Sequence, residues 1–291
     1  MTRADRRSGF VMVSVLAVLA VLAALVAALV LIARANVAAG LAARNDLSER
    51  SLIQAAKEAA AYELLLAGLR VSDVDGQEIR LDAGSVRLAV TNPAGRIDLN
   101  ASDPALIANA YAASGAKGMK PGAFAARVID WRDDDDTPGP DGAEATAYRQ
   151  GRLPWTPPNH AFLSVDEIGH IAGVSADDAA RLKPYFTVDN PAGVIDVLAA
   201  PERVLAVIPG LDSRSARLIV TLRTPLDDDR QARIEQLVQP CGKLAAAGRP
   251  AIIIELELTI RRPGLADRVV RTAIAGDPDG KRPFRTISES E

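Results

Sequence analysis

Arg6-Arg7-Ser8-Gly9-Phe10-Val11-Met12-Val13-Ser14 opens a run in which no charge occurs from Phe10 to Ala33, and Ser14 is its only residue outside the hydrophobic set. As an α-helix rising 1.5 Å per residue the run reaches about 36 Å, more than the roughly 30 Å hydrocarbon core of a bilayer. It is long enough to span. Ahead of it stand Arg3, Arg6 and Arg7 against one acid, Asp5, which places that end in the cytoplasm and everything after Ala33 across the membrane. A secretory signal has a shorter apolar region closed by a small-residue cleavage site. Small-x-small triplets occur throughout this Ala-rich run, so pattern alone leaves a cut open, while length favours retention. A plain signal anchor is the alternative reading of the leader.

Outward from the run the chain is free of Pro until Pro93 and rich in Ala and Leu to about Gly68. Leu52, Ala55, Ala59, Tyr62 and Leu66 recur at helical steps with Glu49, Arg50, Lys57, Glu58 and Glu63 between them, which predicts an amphipathic helix continuous with the membrane helix. A break at Gly40 is the alternative, and Gly68 is the expected stop. Strand patterns follow at Gln77 to Leu81, Ser85 to Val90 and Arg96 to Leu99, with turn residues between them. They return at the other end of the chain, in the alternation of Ile252, Ile254, Leu256, Leu258 and Ile260 with Glu255, Glu257 and Thr259. Arg268 to Ala275 reads as the hairpin partner and Arg282 to Ile287 as a third strand. The expected fold class is α+β: a long N-terminal helix packed on a small antiparallel sheet, with a large inserted helical domain. The expected division is a leader at 1–9, a transmembrane helix at 10–33, the helix and first strands at 34–100, the insertion at 101–248 and the last strands at 249–291.

Within the insertion, Ile97-Asp98-Leu99-Asn100 before Asp103-Pro104 is echoed by Ile195-Asp196-Val197-Leu198 before Pro201-Glu202. Val165 to Tyr185 around Ile171-Ala172-Gly173-Val174, and Val204 to Leu222 around Ile208-Pro209-Gly210-Leu211, both read as helix-hairpin-helix units. Such units bind DNA phosphate through backbone N–H groups, so a membrane-anchored DNA-binding receptor is the alternative function. Against it, Ser175, Asp177 and Asp178 follow one hairpin and Asp212 the other, where acids repel phosphate.

Asp130-Trp131-Arg132-Asp133-Asp134-Asp135-Asp136-Thr137-Pro138-Gly139-Pro140-Asp141-Gly142-Ala143-Glu144 is the most charged stretch. Its oxygen donors in an irregular loop suit Ca2+ over zinc or copper; a solvated charge run is the other reading. Composition removes much else. One cysteine, Cys241, excludes an intrachain disulfide framework and a Cys-rich metal centre, and two histidines exclude a multi-His one. The net charge of −3 divides into +2 on residues 1–33 and −5 on the remaining 258, unsuited to coating nucleic acid. His160 and Ser164 with Asp166 and Glu167 lack a nucleophile turn or oxyanion loop, phosphate-binding loops are missing, and no enzyme activity is expected.

Several of these features together resemble one family. The basic leader ending in Gly9 before Phe10 is similar to that of type IV pilins and pseudopilins, which implies cleavage between Gly9 and Phe10 by the prepilin peptidase. Most pseudopilins carry Glu as the fifth mature residue; here that position is Ser14, and the K-type minor pseudopilin of type II secretion is the member that lacks it. Val128-Ile129-Asp130-Trp131-Arg132-Asp133-Asp134-Asp135-Asp136, then Gly142-Ala143-Glu144 with Tyr148, then Leu182-Lys183-Pro184-Tyr185 resemble that family's series in order. Gly95-Arg96-Ile97-Asp98-Leu99-Asn100, Val204-Leu205 and Pro209-Gly210 extend it over nearly the whole chain. The second Asn of the family's later motif is Leu198 here, and residues 151–159 match poorly.

The resemblance implies a fibre-tip subunit that starts assembly with the I- and J-type minor pseudopilins. It implies one span of inner-membrane lipid, a periplasmic C-terminal domain, methylation of the new N-terminus and no nucleic acid. It also implies Ca2+ held by Asp130, Asp133, Asp135, Asp136 and Glu144; Asp134 and Asp141 do not match fixed family acids.

Overall fold

The computed structural model describes residues 5–248, 252–277, 279 and 281–290, with side chains from Met12 onward. Helix α1 runs without a break from Asp5 to Ala61, through Gly40, and so over about 86 Å. Its first half is apolar enough to cross a membrane and stands clear of the rest of the molecule. A π-helical turn, Tyr62–Leu66, closes it, and Gly68 at φ 68° turns the chain away. After a single turn, α2 (Val71–Val74), come the strands β1 (Glu78–Leu81) and β2 (Gly84–Thr91).

The chain then leaves the sheet for some 160 residues and re-enters beside the strand it left. Strand β2 pairs antiparallel with the strand Ile253–Arg261 in a register running from Ser85↔Arg261 to Thr91↔Glu255. The excursion therefore begins and ends at one point on the sheet's rim. Within it, in chain order, are β3 (Ile97–Asp98), α3 (Pro104–Ser114), α4 (Pro121–Arg132), α5 (Ala145–Gln150), α6 (Ala176–Leu182), β4 (Phe186–Thr187) and β5 (Ile195–Asp196). Then come α7 (Glu202–Leu205), α8 (Ser213–Leu222), α9 (Asp228–Val238) and β6 (Ala245–Ala246). The returning strand is β7, followed by β8 (Arg268–Ala275) and β9 (Arg285–Ser290), and the sheet order is β1-β2-β7-β8-β9, antiparallel throughout. Ile252 stands outside the strand and exposed, while Ile254, Leu256, Leu258 and Ile260 are buried as their alternation requires.

Two separate apolar cores result. One joins Leu52, Ala56 and Ala60 of α1 to Val86, Leu88, Leu256, Leu258, Val270 and Ile274 of the sheet. The other lies wholly within the excursion, around Tyr111, Phe124, Trp131, Phe186, Ile195 and Leu205.

The face that α1 turns to the sheet differs from the stripe expected of it. Tyr62 and Leu66 are exposed, and Glu49 and Lys57, assigned to the polar side, are buried. In an Ala- and Leu-rich helix every face is apolar enough to pack, so periodicity alone leaves the choice to the partners. Glu49 receives Arg262 and Arg268 from the β7–β8 hairpin, Arg262 also donates to the Asn45 carbonyl (2.8 Å), and Lys57 Nζ meets Glu289 Oε2 of β9 at 2.8 Å. Eight residues apart, Glu49 and Lys57 stand one at each end of the Leu52–Ala56 seat. Buried charges survive only when paired, and both are.

The internal echo appears as two like closures. Strand β3 pairs parallel with β4, and β5 with β6. Asp98 Oδ1 accepts the N–H groups of Asn100 (2.7 Å) and Ala101 (3.0 Å), and Asp196 Oδ1 those of Leu198 (3.1 Å) and Gly248 (3.0 Å). In each, an arginine at the C-terminal end of a later helix donates to a carbonyl past the strand: Arg132, the last residue of α4, to Leu99 and Arg223, just after α8, to Ala200.

Candidate functional site: the acidic loop and the hairpins

Helix α4 buries Phe124, Val128 and Trp131 in the core of the excursion, and that packing fixes Asp130 in its last turn, 2% exposed. A carboxylate there faces the negative end of the helix dipole. The loop beyond turns back over it. Gly139 N–H donates to both Asp130 oxygens (3.2 Å each), and Gly142 N–H donates to Gly139 O (2.9 Å). A Cβ at Gly142 would stand 2.0 Å from Asp130 Oδ2, so only glycine lets the loop close this far. Asp141 next to it takes a left-handed φ of 63°.

Glu144 follows at the start of α5, 4% exposed, and both its carboxylate oxygens are buried without a hydrogen-bond partner; so is Asp133 Oδ1. Burial first, then the charges of Asp130, Asp133, Asp136 and Asp135, push the Glu144 carboxyl up to about 7. Burial and the charges of Asp130 and Asp135 likewise raise Asp133. Asp135 and Asp136 are exposed: Asp135 Oδ1 accepts Thr137 N–H (2.7 Å), and Asp136 Oδ1 accepts from Asn159 (3.2 Å). The chain thus folds Asp130, Asp133 and Glu144 inward and leaves Asp135 and Asp136 on the rim. Among the described residues no group of three or more His, Cys, Asp or Glu is drawn close enough to hold an ion. What the site holds is an excess of buried negative charge and orphaned oxygens, which a hard cation would satisfy.

Aromatic side chains form the wall behind the loop. The Trp131 ring stacks on Phe162 (centroids 5.7 Å apart), its Nε1–H donates to Glu167 Oε2 (3.2 Å), and Tyr148 Oη accepts the N–H of Ala172 (3.1 Å). Burial pushes the Tyr148 hydroxyl up to about 12, so it stays protonated. Asn159, which binds the rim of the loop, was not among the expected site residues. Its signal in the sequence is faint: an Asn after Pro157-Pro158, a residue type that tolerates left-handed backbone.

The two hairpins are each a Gly turn between helical segments: a 3-10 helix (Val165–His170) before α6 in the first, and the single turn α7 before α8 in the second. Gly173 (φ 81°) and Gly210 (φ 86°) face inward, and a Cβ at Gly210 would meet Pro240 O at 2.5 Å. Several amides at the starts of the second helices are capped from within the chain. Asp212 Oδ1 accepts the N–H groups of Arg214 and Ser215 (2.8 Å each), and Ser175 Oγ accepts that of Asp178 (3.0 Å). Such capping is the ordinary work of Asp and Ser at helix starts. Ser164 is also a cap, accepting the Asp166 N–H (3.1 Å), while His160 Nδ1 lies 2.8 Å from its neighbour's carbonyl oxygen. Gly9 and Phe10 lie on α1 in the stretch whose side chains are not described.

Fold and site together define a protein with one long apolar N-terminal helix seated on an antiparallel sheet and a large helical excursion carrying an acidic loop. Residues 99–190, about a third of the chain, match the family model described as Type II secretion system (T2SS), protein K. A chain of the crystallised GspK-GspI-GspJ complex from the type 2 secretion system of enterotoxigenic Escherichia coli is similar over 85% of this chain and 95% of its own. The TM-score is 0.62 and the sequence identity 12%. No curated protein matches by sequence. The family match includes the acidic loop, and the crystallised chain shares the fold of this one.

Proposed function

We propose that the chain is the tip subunit of a type II secretion pseudopilus, assembling with I- and J-type minor pseudopilins to start the fibre. Its role is mechanical, with no catalytic step. The observation that carries the reading is α1. One unbroken helix joins an apolar span to a sheet-bound half, and beyond the span it exposes Val37, Leu41 and Leu47 along its outer side. Such a helix suits bundling with like helices, and the similar solved chain was crystallised in a GspK-GspI-GspJ complex. Prepilin peptidase cleaves between Gly9 and Phe10, the helix stays in inner-membrane lipid, and the C-terminal domain is periplasmic. Ser14 in place of Glu fits a subunit with no neighbour ahead of it, since an unpaired carboxylate in lipid is costly.

The acidic loop takes Ca2+ in this reading. Asp130, Asp133 and Glu144, with Asp135 and Asp136 at the rim, supply all-oxygen donors, and the orphaned oxygens of Glu144 and Asp133 support the fit. The ion supplies positive charge that locks the loop. Mass spectrometry of the membrane form tests the processing: the N-terminus is expected at methylated Phe10, and an intact Met1 in cells with working peptidase refutes it. Co-purification with the I- and J-type proteins tests the assembly. Failure of all three to associate in detergent overturns it.

A further inference from the structure

Asn159 lies outside the acidic loop and grips its rim. Its Nδ2 donates to Asp135 O (2.9 Å) and to Asp136 Oδ1 (3.2 Å), and its backbone sits at φ 52°. The segment that carries it, residues 151–163, is pinned on both sides of this grip. Four residues earlier, Trp155 Nε1–H donates to His170 O (2.7 Å), and its ring lies 4.8 Å from that imidazole. Three residues later, Phe162 N–H donates to Asn100 Oδ1 (2.7 Å), and the Phe162 ring stacks on Trp131, the neighbour of Asp130. Pro157-Pro158 joins Trp155 to Asn159 with fixed φ angles, so a shift at one end is passed to the other rather than absorbed.

We infer that Asn159 is a positioning residue of the cation site: its amide sets where the Asp135 carbonyl and the Asp136 carboxylate stand, and so couples ion binding to the seating of the 151–163 strap. The inference rests on the calcium reading above. The inner half of the site holds the buried Glu144, both of whose oxygens are orphaned, and the inward, orphaned Oδ1 of the half-buried Asp133. The rim half, Asp135 and Asp136, is exposed, and like charge on neighbouring carboxylates opposes its closing. An ion that draws the rim in must draw Asn159 with it, and Asn159 draws the strap. Groups of this kind, bonded to ligands rather than to the metal, are worth about 10- to 100-fold in metal affinity.

The test uses the full chain in detergent, Ca2+ itself, calorimetric titration and acrylamide quenching of indole fluorescence. Trp155 is 38% exposed and Trp131 only 4%, so quenching reports chiefly Trp155, and Trp155→Phe assigns the signal. Asn159→Gly removes the amide and keeps the left-handed backbone free of strain. Asn159→Ser, too short to reach Asp136, repeats the measurement with a different backbone, and circular dichroism in chelator checks that each is folded. Ca2+ is expected to reduce quenching of the parent chain. Both variants are expected to bind Ca2+ about tenfold more weakly or worse, with quenching that no longer responds even at saturation. Wild-type affinity or a surviving response in both variants overturns the inference, as does a parent that binds Ca2+ with no change in quenching. A parent that binds no Ca2+ removes the calcium reading itself, and that result is seen before any variant is made.

Discussion

Glu144 concentrates the chemistry of the acidic loop in one side chain. Two buried carboxylate oxygens without a donor cost free energy whenever the group is ionised, and the four neighbouring Asp charges add to that cost. Neutralising the group by substitution is therefore expected to help in one condition and hurt in another. With chelator at pH 8, Glu144→Gln should be more stable than the parent by on the order of 1–3 kcal/mol. With millimolar Ca2+ the order should reverse, because the parent gains the free energy of ion binding and the variant loses a ligand. Thermal melts of both chains in both buffers check this, and a variant less stable in chelator would show that Glu144 is satisfied by some other group. Gly142 is the second residue on which the loop depends. Gly142→Ala places a methyl 2.0 Å from Asp130 Oδ2 and should cost about 1–3 kcal/mol and abolish any calcium shift. The acids themselves were legible in the sequence as an oxygen-rich loop. Their division into an inner group, Asp130, Glu144 and one oxygen of Asp133, and an exposed rim was not, because it depends on how far Trp131 and Ala143 sink into the core.

Helix α1 shows what an element leaves undecided. Its length, its apolar span and its stop at Gly68 follow from composition, and so does its continuity past Gly40, since a lone Gly costs a helix only about 1 kcal/mol. The face it buries depended on what lay opposite. Glu49, 5% exposed, accepts from Arg262 and Arg268, residues more than 200 positions away. Truncating the carboxylate leaves Arg262 half-stranded at the helix–sheet seat, and Glu49→Ala should cost about 3–5 kcal/mol. Lys57→Ala should cost less, about 1–2 kcal/mol, because Glu289 is 44% exposed and regains water. Denaturant unfolding of the two variants ranks them, and equal effects would contradict the pairing described. The strands were more legible than the helix face: alternation from Ile254 to Ile260 sets the buried side by itself, since a strand has two faces and a one-residue slip exchanges them.

At the scale of the whole molecule, two cores share one chain and meet at a narrow seam. Arg70 donates to Leu226 O (3.0 Å), Arg96 meets Glu255 at 3.3 Å, and Asp189 lies close enough to Glu255 for its charge to act on it. Calorimetry should resolve two transitions, with Ca2+ raising only that of the excursion; a single transition moving as a unit would mean that the seam couples the cores. Burial pushes the Glu255 carboxyl up despite Arg96, and pushes Asp189 up as well. A carboxyl raised in the folded state holds its proton longer there than in the unfolded chain. Its contribution is therefore complete below the ordinary pKa near 4.5 and is lost as pH rises through the folded value. Glu255→Gln should flatten that decline above pH 4.5 as measured by melting temperature. The apolar run, the strand faces, the split of the sheet by a long excursion and the acid-rich loop could all be read along the chain, because each is a local pattern of hydrophobicity, turn residues or charge. Which acids lose water, which face of α1 is seated and that Asn159 reaches the loop emerge only once the chain is folded. Those depend on contacts between residues far apart in the chain, and burial has no meaning until the partner surface is in place.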